Sequence, residues 1–345
     1  MVFSLNEDRF LSAFRELLET DSVTGQIHPL QEILRDRLEG LGLEVETLRK
    51  GGLLTCLGGS GRPLVVCAHA DTIGLMVRHI HPDGTLKVVK VGGLYAYHAE
   101  HENIRVHTRS GKVITGALQR ARSSVHVTPD ALWEEAPDFE KNCVAVLDAD
   151  VHSAEDVRAL GIQVGDYVAL DPKFAYENGY LKSRFIDDKA LVALLLEAAR
   201  TIREEGLALK RKVCLYLTFY EEIGHGGSFL PADTEDFLAL DIACTGPEQT
   251  TDERKVTVFC MDSRFPYHQD LVRELEELAE KAGADYVPDI FTPHYGTDGD
   301  PAMVAGYDIR HGAIGPGVSA SHGYERSHMD GMKNTYKLLM EVMTN

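Results

Sequence analysis

Positive charge is scarce: 35 Lys and Arg stand against 54 Asp and Glu, a net charge of −19. That balance argues against nucleic acid or an anionic membrane surface as the main partner. No apolar run approaches the roughly 18 residues that a membrane span needs. The opening, MVFSLNEDRF, carries acids and no cationic n-region, so it is not expected to be a signal peptide. Cys56, Cys67, Cys143, Cys214, Cys244 and Cys260 are scattered, with no Cys-x-x-Cys pair. Several lie in apolar runs such as LVVCA and VCLYLTF, and they read as reduced core thiols. Internal repeats and low-complexity segments are also missing. What remains is a globular composition, 44% hydrophobic and 26% charged over 345 residues, long enough for two domains. A soluble, cytoplasmic protein is expected.

The chain opens with alternating helical and strand patterns. Phe10, Leu11, Phe14, Leu17 and Leu18 follow helical spacing, as do Leu30, Ile33, Leu34, Leu38 and Leu41, with Gly40 at a C-terminal stop. Strand-like segments follow at 43–48 and 53–57. The solid apolar run at 64–68 suits a strand buried on both faces. From about 73 to 163 the pattern changes to short, glycine-bounded alternating segments such as GTLKVVKVGG and NIRVHTRSGKVITGAL, which predict antiparallel strands. After GDYVALDP it reverts, with helices predicted over 189–205 and 269–282, strands near 213–219 and 237–243, and a last helix after Gly331. The expected architecture is an α/β domain (1–72 and 164–345) interrupted by a small β-rich insertion (73–163).

His69 and Asp71, in CAHADTIG, lie just past the buried strand, where open α/β sheets place their sites. Residues i and i+2 point the same way on extended backbone, so His69 can bind a metal while Asp71 orients it. Taken alone, HxD is a weak signal, and the plain alternative is a solvated loop after a strand. Asp187 and Asp188 precede a helix in SRFIDDKA; N-capping accounts for one easily, and a carboxylate can also bridge two cations. Glu221 and Glu222, in TFYEEIGHGG, repel each other unless a cation or shared proton compensates. One reading is a solvated turn; the other is a metal ligand paired with a general base. Gly224, Gly226 and Gly227 then permit close backbone approach. Asp241 sits in the apolar FLALDIACTG and must be paired, hydrogen-bonded or metal-bound. His328 and His322, in SHGYERSHMDGM, compete to supply a further imidazole. Such a nitrogen-and-oxygen set without Cys suits two zinc, cobalt or manganese ions.

The ordered set HADTIG, GDYVALDP, SRFIDDKA, FYEEIGHGG, ALDIACTG, HYGTDGD and SASHGYERSHM resembles the dinuclear-metal aminopeptidases of metallopeptidase family 42, the TET-type enzymes, over essentially the whole chain. The resemblance implies a mixed-sheet, zinc-exopeptidase-like catalytic domain with an inserted barrel-like domain. It makes His69 and Asp241 terminal ligands of different metals, with Asp187 bridging both. Glu222 and His328 complete the two spheres, Glu221 is the general base, and Asp71 orients His69. Gly296, Thr297 and Asp298 match the family's substrate-pocket segment, and His322 is assigned to the substrate side with them.

The activity implied is removal of N-terminal residues from short peptides through a water shared by two divalent ions, zinc or cobalt before manganese. Dimers through the insertion, and hollow dodecamers, are the implied assemblies. Thr72 stands where the family has Glu, and the ERSHMDG context of the last His also departs from its pattern. Both resemble a branch found beside osmoprotectant dipeptide synthesis genes. Three rival readings differ in chemistry. A related di-metal amidohydrolase or deacylase would use nearly the same ligands. An endoglucanase-like glycosidase needs two carboxyls flanking the bond and no metal pair. A non-catalytic metal-binding scaffold requires a missing ligand.

Overall fold

The computed structural model describes residues 3–345. The chain divides into two compact units, one ending at Asp71 and resuming at Lys173, the other spanning Thr72–Pro172.

The first unit is built on a mixed sheet of nine strands. Across it run Glu46–Thr47, Leu53–Gly58, Val213–Thr218, Leu64–His69, Asp236–Leu240, Arg310–Val318, Val256–Met261 and Tyr286–Ile290, with Ala243–Cys244 beside Arg310–Val318. The four strands Val213–Thr218, Leu64–His69, Asp236–Leu240 and Arg310–Val318 are mutually parallel. Every residue of the first three is buried, which is why their sequences read as unbroken apolar runs. On one face, Val65, Cys67, Tyr216, Phe237 and Ala239 join Leu230, Tyr267, Phe291 and Ala302 in a single cluster. Burying each large apolar side chain contributes about 1.5–3 kcal/mol.

Helix Ile186–Glu204 packs against Leu64–His69 and against helices Glu7–Glu19 and Met329–Thr344. It is buried nearly all round, so its sequence lacks a polar face. Lys189, the one lysine in it, is buried and donates to the carbonyls of Leu17 (2.8 Å) and Thr20 (2.7 Å) at the end of the first helix. A smaller antiparallel sheet orders Ala175–Glu177, Tyr180–Ser183 and Glu325–His328. The predicted strand over 43–48 shrinks to Glu46–Thr47.

The second unit is a closed six-stranded antiparallel barrel: Gly74–Ile80, Leu86–Val91, Cys143–Leu147, Val113–Arg120, Asn103–His107 and Tyr167–Leu170. Tyr167–Leu170 closes it by pairing with both Asn103–His107 and Gly74–Ile80. The unit therefore runs to Pro172 rather than 163.

The reading of cysteines in apolar runs as reduced core thiols is corrected for Cys214, in VCLYLTF. Cys56 and Cys214 lie directly opposite each other on antiparallel neighbours and form a disulfide, with Cα atoms 3.9 Å apart. Cys67, Cys143, Cys244 and Cys260 are free. Among the described residues no helix is long and apolar enough to cross a membrane.

Candidate metal centre

Parallel pairing assembles the centre at one edge of the sheet. His69 is the last residue of its strand and pairs with Thr218 of the neighbour. The Glu221–Ile223 turn begins three positions after Thr218. On the other side Ala239 pairs with Cys67, so two residues on, Asp241 arrives beside His69. The start of helix Ile186–Glu204 brings the aspartate pair over this edge. Asp187 and Asp188 have non-helical dihedrals there, and a cis peptide joins them. Neither carboxylate is spent on capping. Asp188 Oδ2 accepts the backbone N–H of His69 at 3.1 Å, and Asp187 Oδ1 lies 2.9 Å from His69 Nε2.

Two sets of ligand atoms result, each within 4.8 Å internally: His69, Asp187 and Asp241, and Asp187, Glu222 and His322. Asp187 belongs to both. His322 Nε2 lies 3.5 Å from Asp187 Oδ2 and 3.4 Å from Glu222 Oε2. Glu221 Oε2 stands 3.8 Å from His69 Nε2.

The donor set fits cations. Burial pushes the carboxyls of Asp241 and Glu221 well above the usual range, and that of Glu222 up to about 7. Burial also opposes charge on Asp187, yet the imidazoles of His322 and His69 hold it well below normal. Burial likewise opposes charge on His322, but Glu222 and Asp187 push it up to about 10. Buried carboxylates so crowded need compensating positive charge, which divalent ions supply.

His328 is not brought to the centre, which corrects its expected place as a ligand. Its Nδ1 accepts the N–H of Asp330 at 3.0 Å, capping the last helix, and its ring packs edge-on against Tyr180, 4.7 Å between centroids. His322, six positions earlier and assigned to the substrate side, occupies the imidazole position instead. Asp71 supports His69 differently from expectation. The Nδ1 of His69 is 3.1 Å from the Asp71 backbone carbonyl and 3.6 Å from its carboxylate. That carboxylate accepts from Thr24 Oγ1 (2.5 Å) and from the backbone N–H of Glu221 (3.2 Å).

Thr297 and Asp298 are buried. Asp298 accepts from the hydroxyl of Thr218, the last residue of its strand, and from the thiol of Cys67, two residues before the end of the neighbouring strand. It also lies against Gly226 and Gly227, while Gly296 lies against Asp300. Sequence reasoning passed over Glu325, a buried carboxylate that accepts from backbone of both Asp187 and His322. Its only signal was a charged residue in SHGYERSHM.

The description "M42 glutamyl aminopeptidase" matches residues 51–338. The chain belongs to the M42 peptidase family. It is similar to the putative aminopeptidase YhfE of Bacillus subtilis (strain 168), 39% identical over 333 residues and 95% of each chain. It is also similar to the lysyl aminopeptidase of Pyrococcus furiosus, 27% identical across 70% of this chain and 68% of that one. Among solved structures the PhTET1 dodecamer matches with a TM-score of 0.84 at 22% identity, covering 97% of this chain and 98% of the other. This M42 protein is a metal-dependent aminopeptidase, a hydrolase of peptide bonds.

Proposed function

We propose that two divalent cations bind at the sheet edge, one among His69, Asp187 and Asp241 and the other among Asp187, Glu222 and His322, with Glu221 as general base. The supporting observation is Asp187, whose carboxylate belongs to both ligand sets. Nitrogen and oxygen donors without thiolate suit zinc or cobalt, and also manganese. When bound, the ions supply a Lewis acid for the scissile carbonyl and a nucleophilic water at neutral pH. Glu221 takes the proton of the attacking water and returns it to the leaving amine. Its backbone N–H is tied to Asp71, so the residue that backs His69 also fixes the turn carrying the base.

The substrates are short peptides with a free N-terminus. Relatives include both a glutamyl and a lysyl aminopeptidase, so family membership does not set residue preference. We extend to this chain the self-association of the solved dodecamer, starting from dimers through the barrel unit, and a cytoplasmic location. A glycosidase reading has no use for two imidazoles set among the carboxylates.

The test is elemental analysis of the purified protein together with hydrolysis of amino-acid amides and short peptides. About two equivalents of metal, and activity lost to chelator and restored by zinc or cobalt, are expected. Chelator-insensitive activity contradicts the proposal.

A further inference from the structure

Glu325 is 2% exposed and lies next to the centre, yet it belongs to neither set of ligand atoms. Its two carboxylate oxygens serve two separate stretches of backbone. Oε2 accepts the N–H of Asp187 at 3.1 Å, and Oε1 accepts the N–H of His322 at 3.1 Å. We propose that Glu325 is a positioning residue, clamping the shared ligand and the second-site imidazole so that the second cation site is preset. This rests on the ligand set proposed above.

Both clamped residues have backbones that no regular ladder holds. Asp187 has φ −69° and ψ 104° although helical residues follow it, so its N–H needs an acceptor from elsewhere. His322 has φ 60°, in the left-handed region that residues other than glycine seldom adopt, and Ala320 two positions before it has φ 57°. A turn of that shape keeps one orientation only when neighbours fix it.

The fold delivers Glu325 to this spot. Strand Glu325–His328 pairs antiparallel with Tyr180–Ser183, and Glu325 sits opposite Ser183. The chain leaves Ser183 directly toward Asp187, while on the other strand His322 lies three residues before Glu325. One side chain at the strand end thus reaches both.

The chemistry calls for a carboxylate. Two N–H donors must be accepted by two atoms of one planar group; a glutamine offers one acceptor oxygen and turns an NH₂ donor toward the other N–H. Residues that hold metal ligands from behind typically change metal affinity by about 10–100-fold when replaced. The second cation depends on Glu325 through two of its ligands, the first through Asp187 alone. Loss should therefore fall unequally.

The experiment titrates Zn²⁺ alone into chelator-stripped protein by calorimetry, with native mass spectrometry counting bound ions. Asp241→Asn and His322→Ala identify the first- and second-site equivalents. Glu325→Gln is nearly isosteric, and Glu325→Ala accompanies it, both checked for folding by circular dichroism. The expected result is about 10–100-fold weaker binding of the equivalent that His322→Ala removes, with a smaller effect on the other. Unchanged zinc binding in folded Glu325→Gln, or equal weakening of both equivalents, overturns the clamp. If His322→Ala and Asp241→Asn leave both equivalents intact, the ligand set itself fails, an outcome separable from failure of the clamp.

Discussion

His69 Nε2 and Asp187 Oδ1 meet at 2.9 Å across 118 residues of chain and a complete inserted barrel. The contact joins the end of a central strand to the start of the most deeply buried helix. Both are rigid elements fixed by core packing, so the centre is held by the same burial that stabilises the sheet.

Neighbouring Glu221 and Glu222 should separate cleanly on mutation. Only Glu222 belongs to a ligand set, and Glu221 faces His69 Nε2 at 3.8 Å. Glu221→Gln should lower kcat about 10²–10⁴-fold while metal content stays near two equivalents. Glu222→Gln should lose metal and activity together. Kinetics on an amino-acid amide, paired with elemental analysis, checks both; the reverse pattern means the roles are exchanged.

The two histidines of the SHGYERSH segment should likewise part company. His322→Ala should remove one metal equivalent. His328→Ala should keep both ions but lose the side-chain cap on Asp330 N–H, costing about 0.5–2 kcal/mol of stability. Denaturant melts with metal analysis decide it. A His328→Ala protein lacking metal would contradict the geometry.

How far these features were legible depended on whether their cause was local. The strand-end position of His69 followed from an apolar run that stops at a polar residue, whereas Asp241 was expected inside a strand near 237–243 and instead follows one that ends at Leu240. The β-rich character of the insertion followed from its alternating, glycine-bounded pattern, but its closure into a barrel is set by strand pairing that the pattern does not carry. His322 and His328 could not be ranked that way, because both lie in one short polar stretch. The left-handed turn at Ala320–His322 and the pairing of Glu325–His328 with Tyr180–Ser183 sort them, and both are long-range outcomes. Glu325 was hidden for the same reason. The Cys56–Cys214 disulfide depends on register between strands 158 residues apart, which no spacing rule reveals.

Acid should expose a second, remote electrostatic knot. Asp236 is fully buried and accepts from Arg310 Nε (2.7 Å) and Nη2 (2.8 Å) and from Arg211 Nη2 (2.5 Å), with Arg62 at 3.1 Å. Burial opposes its charge, but Arg310 and Arg211 hold its carboxyl below the ordinary value. Because the folded pKa is the lower one, this stabilisation is fully present above the unfolded Asp pKa of about 3.9 and is lost as pH falls through the folded value. Asp236→Asn should therefore destabilise the protein at pH 7 by about 2–3 kcal/mol, between exposed and fully buried pairs. The difference from wild type should shrink below about pH 4. Urea melts across pH measure this; a pH-independent difference excludes the electrostatic explanation.

Metal removal should register as lost stability even without substrate. Ions that bind only the folded chain add RT ln(1 + [L]/Kd), about 2.7 kcal/mol at a hundredfold excess over Kd. Chelation should lower Tm, and zinc should restore it. His322→Ala, with only one complete ligand set, should recover a smaller part. An unchanged Tm on chelation means the ligand atoms bind no ion tightly in solution.

Gly227 tests whether the turn carrying the base is set by close packing from below. A Cβ at Gly227 would lie 1.9 Å from the backbone oxygen of Asp298, and one at Gly226 would lie 2.0 Å from Asp298 Oδ1. The first neighbour is backbone and cannot swing aside. Asp298 is itself fixed by the Thr218 hydroxyl and the Cys67 thiol. Gly227→Ala must therefore lift the chain that follows Glu221 and Glu222, and overpacking of this kind costs about 1–3 kcal/mol. A lifted turn displaces base and ligand together, so kcat should drop and metal affinity weaken while circular dichroism stays native. Gly206→Ala is the control, since its Cβ would meet nothing within 4 Å, although its φ of 61° makes it mildly strained. It should cost some stability and leave kcat and metal binding alone. If Gly227→Ala loses stability but retains full kcat and metal affinity, the Asp298 packing supports the fold without fixing the Glu221–Glu222 turn.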